Sequence, residues 1–170
     1  MAIIAAMTAT SERPSPRTSR FLAWTLLAGF AGGLVDAVYF STMAEVEERS
    51  PLRVLRSIAS FWLGSAASTG GTQAEVLGLA THFGLATIMA FAYGVTTSAT
   101  PDIRRRPFVA GPIYGIILYI AMYYFVLPLR WPSLFPRIDG WTTLLDVLVH
   151  IGVGTAIALV FSEKAREDSA

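Results

Sequence analysis

Long apolar runs separated by short polar interruptions set the first expectation for this chain. Four runs, near 21–40, 76–95, 108–127 and 141–161, each hold about 20 predominantly apolar residues. A helix of about 20 such residues, rising about 1.5 Å per residue, crosses the roughly 30 Å hydrocarbon core of a bilayer. The predicted fold class is therefore an all-α membrane protein with four transmembrane helices, occupying 21–161.

The interruptions have their own chemistry. Residues 1–20 carry Pro14, Pro16, several Ser and Thr, and Arg13, Arg17 and Arg20, which reads as a disordered basic tail. The stretch Met1 to Met7 is too short for a signal-peptide core, and charge follows it instead of preceding it. The longest connection, 41–75, opens with Glu45, Glu47 and Glu48 and continues with Ser50-Pro51, an N-cap followed by proline in the first helical turn. Over 51–64, helical spacing places Leu52, Leu55, Ile58, Ala59 and Trp62 on one side, with Arg53 and Arg56 off it. This segment is too short to span, so an interfacial or re-entrant helix is expected. Ser65 to Thr72 is small and glycine-rich and reads as a turn. Pro101 and Arg104-Arg105-Arg106 mark a short loop, Pro128 to Gly140 an interfacial connection, and 162–170 a charged tail.

The runs also repeat. His82-Phe-Gly-Leu-Ala-Thr-Ile-Met-Ala90 aligns without gaps on His150-Ile-Gly-Val-Gly-Thr-Ala-Ile-Ala158, and Ala28-Gly29-Phe-Ala-Gly-Gly33 on Ala110-Gly111-Pro-Ile-Tyr-Gly115. Two tandem helical hairpins of like topology follow, related by an axis along the membrane normal. Gly29, Gly33, Gly111, Gly115, Gly84 and Gly152 are the expected helix-packing positions, because small residues let backbones approach in lipid. The Gly-xxx-Gly pairs also leave a homo-oligomer open.

Composition narrows the function classes. Hydrophobic residues make up 54% and charged residues 15%, with mean hydropathy +0.54, which is too little charge to cover a soluble domain. A net charge of +1 argues against a nucleic-acid partner and leaves the lipid bilayer as the expected one. Cysteine is absent, so neither a disulfide nor a thiolate metal site is available. Eight of the thirteen Lys and Arg residues fall on the side holding both tails and the Arg104 loop. Arg49, Arg53, Arg56, Arg130 and Arg137 fall on the other, near Glu45, Glu47, Glu48, Glu75 and Asp139. The positive-inside bias places both termini in the cytoplasm.

Four ionisable residues stand inside the spans: Asp36, His82, Asp146 and His150. Such groups are costly in hydrocarbon and mark sites by default. Asp146 and His150 share one helical face at i and i+4, where the carboxylate can orient the imidazole. The repeat sets His82 and His150 at one depth in the outer half, with Asp36 near the outer end of its span. Interhelical packing accounts for such a cluster, and this is the leading expectation. Two alternatives use the same residues. One is a bis-histidine haem b site, the other a proton or small-solute path. No metal spacing signature, nucleophile elbow, phosphate loop or dinucleotide fingerprint is present, so no enzymatic activity is expected.

Several segments carry a resemblance. Ile58-Ala-Ser-Phe-Trp-Leu-Gly64, Gly70-Gly71, Leu77-Gly-Leu-Ala-Thr-His-Phe83, Arg106-Pro-Phe-Val-Ala-Gly-Pro-Ile-Tyr-Gly115, Met122 to Pro128 and His150 resemble an uncharacterised family of small bacterial four-helix inner-membrane proteins, distantly YagU-like. The resemblance implies a bacterial cytoplasmic membrane and brings no activity or cofactor.

Overall fold

A computed structural model of the chain describes residues 15–167, and every regular element among them is helical. Helix α1 (Pro16–Val46) begins ahead of the first apolar run because its start is well capped. The Ser15 hydroxyl accepts from the Thr18 amide at 3.2 Å, and Pro16 occupies the first turn, where its missing N–H costs nothing. The basic tail expected over 1–20 is thus helical from Pro16 onward, while residues 1–14 lie outside the described ones.

Ser50 caps α2 (Pro51–Leu63) in the same way, and Gly64, at φ +59°, ends it. The segment expected to be a turn holds a 3₁₀ helix, Gly64–Ser68, before α3 (Gly71–Ser98). A single turn, α4 (Pro101–Arg104), leads to α5 (Pro107–Ala121). The third span then widens into a π-helical stretch, Met122–Val126, and resumes as α6 (Leu127–Arg130). Pro128 explains the widening: its nitrogen cannot donate to Tyr124, and its ring crowds that carbonyl in a regular α-turn. Helix α7 (Gly140–Glu167) carries the charged stretch expected as a tail as far as Glu167.

Four helical stretches are long and apolar enough to cross a membrane: Arg17–Val46, Gly71–Ser98, Pro107–Arg130 and Gly140–Glu167, with mean hydropathies of 1.7, 1.6, 1.7 and 2.2. Their outward faces are apolar too. Leu26, Phe30, Val38, Ile88, Phe108, Ile113 and Phe125 are all more than half exposed. Contiguous apolar surface of this extent suits lipid and not water.

Helix α5 packs most extensively on α7, followed by α1 on α7, α1 on α3 and α2 on α3. The core between the spans is Ala28, Ala90, Tyr93, Leu118, Val153, Ile157, Ala158 and Phe161. Close backbone approach holds each helix pair together. A Cβ on Gly29 would stand 2.6 Å from the Thr87 Cα, and one on Gly111 would stand 2.5 Å from the Thr155 Cα. Thr87 and Thr155 each turn their hydroxyl back to their own helix, on the carbonyls of Phe83 and Ile151 at 2.8 and 2.7 Å. These contacts occupy aligned positions of the two hairpins. Gly33 and Gly115 are likewise buried within the chain, so neither Gly-xxx-Gly pair is free for a second copy. Gly84 departs from expectation: it is exposed, with nothing within 4 Å of where its Cβ would be, and Gly152 meets only Val35, at 3.3 Å. The tightest approaches fall at Gly78, against the Leu55 carbonyl, and at the expected Gly115, against the His150 carbonyl, with Gly154 next, against the backbone of Gly111 and Gly115.

Both described ends of the chain lie at one end of the bundle, where Arg20 meets Glu167 at 3.3 Å. Arg104, expected as one of three loop charges, turns inward there. It donates to the Gly94 carbonyl at 3.0 Å and the Ser98 hydroxyl at 3.3 Å, and its guanidinium sits 5.6 Å from the Phe161 ring centroid. The negative end of the α3 dipole, in its last turns, attracts such a cation.

Candidate functional site

At the opposite end of the bundle all four intramembrane ionisable residues meet. Asp36 comes from α1, His82 from α3, and Asp146 and His150 from α7. Each stands where its helix's small-residue face turns inward. Gly78, Ala86 and Ala90 line that face of α3, and Gly154 and Ala158 that of α7, all buried. Asp36 is within electrostatic reach of His150, His82 and Asp146, so the cluster joins the two hairpins.

The two histidines differ in what they bond. His82 Nε2 donates to the Gly33 carbonyl across the α1–α3 contact at 2.9 Å, and its Nδ1 faces the Asp36 carboxylate at 3.7 Å. His150 Nδ1 donates to the Asp146 carbonyl of its own helix at 2.7 Å. Phe40 and Phe83 meet the His82 ring edge to face, and Tyr119 and Tyr123 do the same for His150.

The expected Asp146 carboxylate–His150 contact is replaced. The Asp146 side chain turns to α1 and accepts from the Tyr39 hydroxyl at 2.7 Å, and Tyr123 faces the same carboxylate. Asp146 is only 5% exposed, so this bond forms where water is scarce and a lost partner would be expensive. The Asp36 side chain is 32% exposed and opens to the surroundings.

Sequence reasoning missed Tyr39 and Tyr123. Tyr39 lies three residues after Asp36 on a helix, and Tyr119 and Tyr123 are one turn apart, so spacing alone put them near the acids' depth. Near a span end, however, tyrosine is equally the residue of an interfacial belt.

The cluster can share protons. A carbonyl only accepts, so the Nε2 proton of His82 is committed to Gly33. Nδ1 then attracts the Asp36 carboxylate only if a proton lies between them, carried by either group. Among the described residues no three His, Asp or Glu side chains converge as a metal site requires.

No family model, curated protein or solved structure matches this chain.

Proposed function

We propose that this chain is a non-enzymatic, multi-pass protein of the bacterial inner membrane, of the distantly YagU-like kind, with both termini cytoplasmic. In this reading it is built as two tandem hairpins, and the Asp36–His82–Asp146–His150 cluster is the polar seam that fixes one against the other. The observation that carries the seam is the 2.7 Å bond from Tyr39 of the first hairpin to the buried carboxylate of Asp146 in the second. In hydrocarbon the alternative is an unpaired carboxylate, so one bond discriminates strongly between arrangements.

Support for the repeat comes from the aligned approaches of Gly29 on Thr87 and Gly111 on Thr155. Helix α2, with Leu52 and Trp62 exposed and Arg56 paired to Glu75, suits an interfacial position. A haem b site fits poorly. Both nitrogens of His82 already face protein groups, and the His150 Nδ1 is bonded to its own helix at the Asp146 carbonyl.

A second reading has one specific observation behind it, the 3.7 Å approach of His82 Nδ1 to the partly exposed Asp36 carboxylate. It makes the cluster a proton relay. One set of variants separates the two. Tyr39→Phe should lower thermal stability by about 1–3 kcal/mol by removing the bond that ties the Asp146 carboxylate to α1, and Asp146→Asn, which still accepts from Tyr39, by less. In proteoliposomes holding a pH-sensitive dye, the seam reading expects Asp36→Asn to leave proton leak unchanged. Proton flux by the unaltered chain that Asp36→Asn abolishes would replace the seam with the relay.

A further inference from the structure

A second polar site stands at the same end of the bundle, outside the cluster. Helix α2, the 3₁₀ turn and the end of α6 border an open groove of about 620 Å³, lined by Arg53, Arg56, Arg130, Trp131 and four serines, Ser57, Ser60, Ser65 and Ser68. Three guanidiniums around one groove repel each other, and one acid, Glu75, on Arg56 at 2.9 Å, offsets them. Arg130 is held in place by its own bonds. Its Nε donates to the Ser60 carbonyl at 3.3 Å, and its guanidinium lies 5.9 Å from the Trp131 ring.

Other donors in the groove are uncommitted. Arg53 makes no side-chain bond among the described residues, nor do the hydroxyls of Ser57 and Ser65, whereas Ser60 and Ser68 donate to the Ser57 and Ser65 carbonyls. Fixed guanidinium forks with hydroxyl donors beside them, and an excess of positive charge, match a phosphate-type oxyanion. Exposed Trp62 and Leu129 flank the groove's elements with apolar surface, as expected where a headgroup is held and acyl chains lie alongside.

We propose that this groove binds a phosphate oxyanion through Arg53, Arg56 and Arg130, with Ser57 and Ser65 as supporting donors. An anionic phospholipid headgroup and a soluble phosphate share this chemistry.

The test uses the full chain in detergent. Thermal shift and native mass spectrometry are read with added phosphatidylglycerol, with phosphatidylcholine, with inorganic phosphate, and with chloride at equal ionic strength. Phosphatidylglycerol should raise the melting temperature and remain as an adduct where phosphatidylcholine does not. A response to inorganic phosphate without one to phosphatidylglycerol assigns the same site to a soluble anion. Arg53→Gln, which breaks no internal bond, should weaken binding about tenfold. Arg137→Gln removes a charge outside the groove and should leave binding unchanged. Equal loss in both variants, or no response to either phosphate source beyond chloride, overturns the proposal.

Discussion

At the scale of single residues, backbone contact decides what each glycine tolerates. Gly154 leaves no room, since its Cβ would meet the backbone of Gly111 and Gly115, and backbone cannot step aside as a flexible side chain can. Gly154→Ala should therefore lower the melting temperature by an amount equivalent to about 1–3 kcal/mol. Gly84→Ala, at an exposed helical site with nothing near it, should be neutral or stabilise by about 0.5–1 kcal/mol. Thermal denaturation of the two variants side by side checks both signs. The sequence carried which ionisable residues stand within the spans, because the apolar runs around them mark those spans. It did not carry which helix Asp146 addresses. That depends on how α1 is rotated about its axis, and a span that is apolar nearly all round, with a barely amphipathic pattern, leaves rotation undetermined. Gly84 was misplaced for the same reason: a glycine marks an interface only if its face turns inward.

At the scale of elements, α2 does not span and is held chiefly by its face on α3. The Leu55 carbonyl lies against Gly78, Arg56 reaches Glu75, and the Trp62 indole donates to the Thr81 hydroxyl at 2.9 Å. Ala59, Ala67 and Ala74 form its small core. Gly78→Val would push α2 off α3 and break the Trp62–Thr81 bond. The expected readout is increased quenching of tryptophan emission by iodide, read in a background with the other three tryptophans replaced by Phe. Unchanged quenching would mean that α2 is held by its ends and not by its face. The helix itself was legible from Ser50-Pro51 and its length, and so was the proline-rich connection. The π-helical stretch was not, because Pro128 predicts a disturbance one turn upstream without choosing between a kink, a break and a widened turn.

At the scale of the whole molecule, four apolar stretches and a polar seam make a claim about sides. The chain has no cysteine, so introduced ones report alone. Thr100 and Ser133 are exposed at opposite ends of the bundle. In spheroplasts a membrane-impermeant maleimide should label Ser133→Cys directly and Thr100→Cys only after lysis, and labelling of both from outside would end the four-span reading. The apolar runs made the spans legible; the order of helix contacts was not, since nothing in a span's composition says whether α1 prefers α3 or α7. The Arg20–Glu167 pair has one more consequence. Because the chain leaves the bundle beside where it entered, and because the α3–α5 link is short and on that same side, the order of the halves is not required by their geometry. A circular permutant opened near Thr100, with Glu167 linked to Pro16 by a flexible tether, would present the second hairpin first and the first hairpin last. Each half would still enter and leave on its original side, which ties the architecture to how the halves meet and not to the order in which they are synthesised.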